Sequence, residues 1–286
     1  MGLFDLHTHS TASDGSVSPE RLPVMARGKG LSGIALTDHD TLNGLGAFLK
    51  SCHEQGIRGI AGIEISSNGP AGGEVHVLGY FVPLQNEKFV SGIRFLQEAR
   101  TARNRQMIRL LRDAGCPVTM DDWEAEAGGG ILGRLHLANL LLRVGWVKHI
   151  GEAFSKWIGR GGDAFVPKER WSTIQAVRFL RESGALPVLA HPGLYRGHVP
   201  DIRQFLIQLK ESGLVGIECL HSDHDERQAV RFQTLAVKLG LLKTGGSDFH
   251  GEVKPHVALG HPGMSPEWFM EMEQFHGSKL PREGKL

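Results

Sequence analysis

Leu3-Phe4-Asp5-Leu6-His7-Thr8-His9-Ser10, followed closely by Asp14-Gly15, is the stretch on which the reading of this chain turns. Its apolar residues lead in as a short strand. Residues two apart on a strand point to the same side, so the imidazoles of His7 and His9 can reach one ion. Near the other end of the chain, Gly246-Ser247-Asp248-Phe249-His250 repeats the two-residue spacing. Imidazole and carboxylate together suit zinc, manganese, iron or nickel, whereas calcium and magnesium sites are built from oxygen donors. Two such pairs, each at the end of an expected strand, read as two sides of one divalent-metal site.

Working outward, runs rich in Val, Ile, Leu and Gly mark seven expected strands, at 3–7, 33–37, 59–64, 75–80, 187–191, 215–220 and 243–247. Helical segments fit between most of them. Ser172-Thr173-Ile174-Gln175 has the form of a capping box and Ser18-Pro19-Glu20 that of a capped helix start, while Gly28, Gly30, Gly184, Gly213 and Gly240 act as stops. Strand and helix in alternation favour parallel units, so the chain is expected to be α/β, a distorted (β/α)7 barrel, closed or nearly closed. Gly69, Pro70, Gly72 and Gly73 place a turn before Val75, which makes a tight connection between the third and fourth strands an alternative there. From 87 to 167 the rhythm breaks into helical runs with a Gly128-Gly129-Gly130 interruption. This is expected to be a helical insertion covering the active site, with 1–86 and 168–286 forming the barrel. Arg94, Arg100, Arg103, Arg105, Arg109 and Arg112 run along its first helix and are read mainly as a solvated face.

The 286 residues suffice for one large barrel or two ordinary domains. A formal charge of +1 argues against a large nucleic-acid footprint, though a local basic patch could still hold an anion. Apolar stretches are short and interrupted and no leader is evident, so no membrane association is expected. Cys52, Cys116 and Cys219 are odd in number and widely spaced; they read as buried thiols of a cytoplasmic protein.

Active sites of such barrels gather at the C-terminal ends of the strands. On this map His39 follows the second strand, Glu64 ends the third, His76 lies in the fourth and His191 ends the fifth. With His7, His9, Asp14, Asp248 and His250 they make nine candidate ligands. One ion needs only three or four protein ligands, so nine imply two or three ions. Metal would also relieve the repulsion among Asp14, Glu64 and Asp248. Their three negative charges against four to six positive ones leave the pocket net cationic and suited to a phosphate ester.

These segments, Asp5 to His9 with Asp14-Gly15, Leu36 to Thr41, Gly62 to Ile65, Val75 to Tyr80, Leu189 to Gly193 and Gly246 to His250, resemble the PHP (polymerase and histidinol phosphatase) family of metallophosphoesterases over most of the chain. The resemblance implies a barrel related to the amidohydrolases with a di- or trinuclear centre, of manganese first and of zinc or iron as alternatives. It implies that His7, His9, Glu64 and Asp248 hold one ion, Asp14, His39 and His250 a second, and Glu64, His76 and His191 a third, with Glu64 bridging.

Within the family the chain is most similar to stand-alone members that remove the 3′-phosphate from nucleoside 3′,5′-bisphosphates, a group overlapping with 5′-to-3′ exoribonucleases acting on short RNA. Gly133-Arg134-Leu135-His136-Leu137-Ala138 resembles their Arg-Pro-His-Ile-Ala motif, with Leu135 in place of proline. Phe165 to Lys168 and Glu218 to His224 resemble further segments, the latter departing from a Tyr-His-Pro version. A nucleotide phosphatase yielding AMP or its like is therefore implied, needing no protein partner. Arg134 would present a planar fork to phosphate oxygens, while His136 and His224 would bind phosphate or protonate the leaving oxygen. Arg134 and His136 stand two apart and cannot share a helix face, so one of them is expected to precede the helix. His53, His149, His198, His221, His256, His261 and His276 read as ordinary residues. Stepwise degradation of short RNA is the alternative enzyme reading, and a metal-stabilised nucleotide-binding module the non-catalytic one.

Overall fold

In a computed structural model, which describes residues 2–128, 132–167, 170–195, 197 and 199–278, all seven expected strands are present. They are β1 (Phe4–Asp5), β2 (Gly33–Leu36), β3 (Arg58–Asn68), β4 (Glu74–Tyr80), β5 (Leu186–Leu189), β6 (Gly216–Leu220) and β7 (Leu242–Gly245). Every residue of β2 and β5 is buried, as strands covered on both faces must be. The sheet follows chain order from β1 to β7, and its two outer strands meet. The Leu6 amide donates to the Gly245 carbonyl at 3.3 Å, the Asp248 amide to the His7 carbonyl at 2.8 Å and the His9 amide to the Phe249 carbonyl at 2.9 Å. The result is a nearly closed barrel.

One strand departs from the all-parallel expectation. β1, β2 and β3 pair in parallel, as do β5, β6 and β7, but β4 runs antiparallel to both neighbours. The glycine-rich turn explains it: the Gly69 amide donates to the Gly73 carbonyl at 2.8 Å and Gly72 takes a φ of 80°, closing a hairpin. Reversal puts the beginning of β4, not its end, at the mouth of the barrel, and there His76 pairs with Ser66.

Helices α1 (Arg21–Gly28), α2 (Leu45–Gln55), α7 (Thr173–Glu182), α8 (Ile202–Glu211), α9 (Glu226–Leu239) and α10 (Pro266–Gly277) accompany the strands. Ser172 and Gln175 form the capping box of α7. α1 differs from expectation, because its N-cap is Glu20 without a side-chain cap and Ser18 contributes only its carbonyl, to the Arg21 amide at 3.0 Å.

Between β4 and β5 the described residues form helices: α3 (Glu87–Asp113), α4 (Met120–Glu126), α5 (Arg134–Arg143) and α6 (Ile150–Glu152), which continues as a π-helical turn through Ala153–Ile158. Phe89, Ile93 and Leu96 of α3 pack into the barrel's apolar layer, whereas Met107, Ile108 and Leu111 pack into a separate cluster with Trp123, Leu137 and Leu141. The solvated-face reading of the α3 arginines holds for Arg94, Arg105, Arg109 and Arg112, which are exposed. It fails for Arg100 and Arg103, which continue the inward stripe of Leu96 and Met107 at helical spacing. Among the described residues no helix is long and apolar enough to cross a membrane. Gly129, Gly130, Lys168 and His198 lie outside the described residues.

Candidate metal centre

The strand ends deliver the polar side chains to the mouth of the barrel. β1 leads into His7 and His9, β2 into His39, β5 into His191, and β7 into Asp248 and His250, while Glu64 and His76 face inward from the hairpin. Short links hold these segments. A Cβ on Gly246 would lie 2.4 Å from the His7 backbone nitrogen, so only glycine lets the two loops run this close. Asp5 accepts hydrogen bonds from the Ser247 amide (2.9 Å), the Ser247 hydroxyl (2.6 Å) and the Gly260 amide (2.7 Å). Asp38 in the same way takes the Ser10 amide at 2.8 Å and its hydroxyl at 2.6 Å. Asp248 sits at a left-handed φ of 58°, a strained backbone of the kind that clusters at functional sites.

Glu64 is the hub. His7 Nε2, His9 Nε2 and His39 Nδ1 each lie 3.2 Å from its Oε2, and His76 Nδ1 and His191 Nε2 each 2.9 Å from its Oε1. Asp248 Oδ1 stands 3.4 Å from His7 Nε2 and 3.2 Å from His9 Nε2. Asp14 is 3.4 Å from His250 Nε2 and 3.7 Å from His39 Nε2. All nine side chains singled out in the sequence thus come together. Donor atoms close enough to share an ion form the sets His7, His9, Glu64 and Asp248; His9, Asp14, His39 and His250; and His39, Glu64 and His76.

Several of these atoms are buried without a hydrogen-bond partner: Nε2 of His7 and His9, Nδ1 of His39 and Oε2 of Glu64. The three ring nitrogens each lie 3.2 Å from Glu64 Oε2, gathered around one shared space without hydrogen-bond geometry. Each buried, unpaired polar atom costs about 1–3 kcal/mol, and a divalent cation satisfies several at once. The residues present fit such ions.

Burial disfavours charge throughout the cluster, but neighbours override it selectively. Glu64 is held well below the usual carboxylate range by His39, His76 and His7 despite its burial, and Asp14 and Asp248 are lowered likewise by their histidines. Against the same desolvation, carboxylates raise His9 to about 9 and His76 to about 10. Burial wins at His39, which falls to about 3. Metal loading must therefore displace protons from some of these rings.

Three further residues reach the centre that the sequence did not single out for it. Glu218 accepts from His7 Nδ1 at 2.9 Å and from the His191 amide at 2.7 Å. His221 is buried with Nε2 3.4 Å from Asp248 Oδ2, and Lys254 Nζ lies 2.6 Å from that same oxygen.

A cavity of about 350 Å³ opens beside Asp14, His39 and His76 and is also lined by Arg100, Arg103, Arg134 and Arg170. Arg100 bonds to Asp40, whose other oxygen takes the Ser66 amide at 2.8 Å; Arg170 pairs with Glu74 at 2.8 Å. Burial, together with the Arg134, Arg170 and Arg100 guanidiniums, lowers Arg103 to about 10. A second cavity of about 480 Å³ shares Glu74, Arg103, Arg134 and Arg170 and adds Arg160 and Phe165.

Arg134 lines the first cavity beside Asp14, His39 and His76, while of the two histidines named with it His136 has one ring nitrogen, and His224 both, bonded to backbone. Both Arg134 and His136 fall in the first turn of α5, contrary to the expectation that one precedes it, and His136 Nδ1 accepts the Gly133 amide at 3.3 Å as a helix cap. His224 Nε2 accepts the Gly193 amide at 3.1 Å while its Nδ1 donates to the Cys219 carbonyl at 3.1 Å. With both ring nitrogens bonded to backbone, His224 has no free group for a phosphate.

A nearly closed α/β barrel, with a histidine and carboxylate cluster at its mouth and an arginine-lined cavity beside it, has the architecture of a metal-dependent phosphoesterase. The PHP domain model matches residues 5–113. A 5′-3′ exoribonuclease of Haemophilus influenzae is 33% identical over 251 residues, covering 86% of this chain and 89% of that protein. A 3′,5′-nucleoside bisphosphate phosphatase of Chromobacterium violaceum is 29% identical over 263 residues, covering 91% and 92%. A solved structure assigned as a metal-dependent phosphoesterase, from Bifidobacterium adolescentis, aligns with a TM-score of 0.79 at 30% identity over 94% of each chain. The chain belongs to the PHP family and is a metal-dependent hydrolase of phosphate esters.

Proposed function

We propose that the protein removes the 3′-phosphate from nucleoside 3′,5′-bisphosphates, releasing phosphate and a 5′-monophosphate such as AMP. The observation that carries this reading is the group of four guanidiniums, Arg100, Arg103, Arg134 and Arg170, lining a cavity that begins at the metal ligands. A substrate with one phosphate at the ligand cluster has its second phosphate met by this arginine group, and the cavity volume suits one nucleotide. The relative in Chromobacterium violaceum named for this activity supports the assignment.

In this reading His7, His9, Glu64 and Asp248 hold one ion, Asp14, His39 and His250 a second, and Glu64, His76 and His191 a third, with manganese ahead of zinc or iron. Ions at these positions would supply an activated water and neutralise charge on the scissile phosphoryl group. The chain's own groups do the rest. Arg134 and Arg100 clamp the distal phosphate through planar, charge-assisted hydrogen bonds and so fix the scissile ester against the ligand cluster. Asp40 holds Arg100 in place, and His136, by capping α5, holds the turn that presents Arg134. From the helical segment Arg100, Arg103, Leu132, Arg134 and Phe154 line the outer side of the cavity. Three unpaired, buried thiols fit a cytoplasmic location.

The second cavity favours one further reading. Its added Arg160 and Phe165 could carry a second nucleotide, by charge and by stacking, as a 5′-3′ exoribonuclease acting on short RNA requires. Phosphate release from 3′-phosphoadenosine 5′-phosphate, run beside degradation of 5′-phosphorylated oligoribonucleotides with manganese-loaded protein, separates the two. Turnover confined to the oligonucleotides would replace the first reading by the second.

A further inference from the structure

Glu218, His221 and His224 stand at the end of β6 and just beyond it, and each reaches a neighbouring strand end without being one of the nine expected ligands. Glu218 spans His7 and the backbone of His191. His224 ties Gly193, two residues past His191, to Cys219. His221 reaches Asp248, with Nε2 3.4 Å from Oδ2. Two readings compete, because His7, Glu218 and His221 are also close enough together to hold an ion of their own.

Hydrogen-bond polarity separates them. A backbone N–H can only donate, and the Asp223 amide points at His221 Nδ1 at 3.0 Å, so Nδ1 accepts. The neutral ring then carries its proton on Nε2 and has no lone pair there for a metal. His7 has the opposite polarity: Nδ1 gives its proton to Glu218 at 2.9 Å, which leaves the Nε2 lone pair facing Glu64 and Asp248. Both oxygens of Glu218 are committed, Oε1 to His7 and Oε2 to the His191 amide at 2.7 Å.

We propose that His221 and Glu218 are positioning residues of the metal centre and not ligands of an additional ion. Lys254 Nζ bonds Asp248 Oδ2 at 2.6 Å, and the His221 Nε2–H faces the same oxygen from 3.4 Å, near it but short of hydrogen-bond geometry, so that Oδ1 is the oxygen turned to the ion shared with His7 and His9. Glu218 fixes the His7 tautomer that makes Nε2 the ligand. Partners of this kind typically change metal affinity 10–100-fold. The proposal rests on the centre holding metal, and it is tested without substrate, so an error in the nucleotide assignment leaves it untouched.

The experiment compares His221→Asn with His221→Gln. Asparagine keeps an acceptor near the Nδ1 position but cannot reach Asp248; glutamine carries an N–H to about the position of Nε2. Each protein is stripped with chelator, checked for folding by thermal melting, titrated with Mn²⁺ by calorimetry and counted for metal at saturation. The Asn variant should bind its tightest ion about 10-fold or more weakly with an unchanged number of ions, the Gln variant should recover most of the affinity, and the Co²⁺-loaded Asn variant should show a shifted visible spectrum. Unchanged affinity in the Asn variant would overturn the proposal, as would a Gln variant no better than Asn. Loss of one whole ion in both variants would make His221 a ligand after all. A wild-type protein that takes up no Mn²⁺ would sink the metal assignment itself, a different failure.

Discussion

Replacing Arg134 by glutamine tests the second-phosphate reading directly. Arg134 stands at the first position of α5 and lines both cavities; in the second its neighbours include Arg103, Arg170 and one acid, Glu74, and in the first Asp14 is added. A hydrogen bond to a charged group contributes about 1.5–3 kcal/mol net, and a guanidinium fork makes two to a phosphate. Removing one guanidinium also relieves repulsion among the remaining arginines, which lowers the cost. A net loss of about 2–3 kcal/mol is therefore expected, or roughly 30- to 150-fold at about 1.4 kcal/mol per decade. The assay is phosphate release from a nucleoside 3′,5′-bisphosphate and from the matching nucleoside 3′-monophosphate, which lacks the distal group. Arg134→Gln should reduce kcat/KM for the bisphosphate by this factor, mostly through KM, and leave the monophosphate within about threefold. Its melting temperature should not fall, since the cluster loses like-charge strain. Equal losses on both substrates, or none on either, would refute the reasoning.

Glu64→Gln removes the carboxylate that approaches five imidazoles, so at least one ion per chain should be lost and activity should fall by about 10³-fold or more; elemental analysis beside turnover checks it. In chelated protein the histidines make stability depend on pH in a defined direction. His9 and His76 have folded values of about 9 and about 10, above the unfolded ~6.5, so their contribution is complete below ~6.5 and is lost as pH rises through 9 to 10. His39, lowered to about 3, and the depressed Glu64, Asp14 and Asp248 act oppositely, and their contributions disappear as pH falls below neutrality and on into the acid range. Melting temperature in EDTA should thus peak near neutral pH and fall by pH 9.5, with the alkaline fall abolished by metal; a flat or rising profile from pH 7 to 9.5 would count against it. Gly246→Ala would force a Cβ to 2.4 Å from the His7 backbone nitrogen and should destabilise the fold by at least about 1–3 kcal/mol, read as a lower urea midpoint.

The seven strands and the nine converging side chains were legible because both signals are local. Apolar runs punctuated by glycine mark the strands, and ligand pairs two residues apart mark the strand ends. The reversal of β4 was legible only as an alternative, since a turn rich in glycine and proline gives a tight connection without giving a strand direction. His221 was hidden by a register shift. Strict alternation from Glu218 would turn Leu220 inward, but the pairing of β6 with β7 is irregular between Glu218 and Leu220, and His221 faces Asp248 instead. Arg100 and Arg103 could have been found, because they continue the helical spacing of Ile93, Leu96, Met107 and Leu111; reading charge before periodicity sent them to the solvent. Lys254 carried no signal, as its place depends on how the loop after His250 turns back over Asp248.

The backward run of β4 delivers the chain to the floor of the barrel, and α3 has to climb the full height again before any wall can be built over the mouth. At 1.5 Å per residue its 27 residues measure about 40 Å, anchored below by Phe89 and Ile93 and above by Met107 and Leu111. Arg100 and Arg103 ride between those anchors like marks on a ruler. An inserted or deleted helical turn between Leu96 and Arg100 would shift them about 5.4 Å along the axis while leaving every metal ligand in place. The length of substrate that fits is thus a property of one rod, adjustable by indels without touching the chemistry.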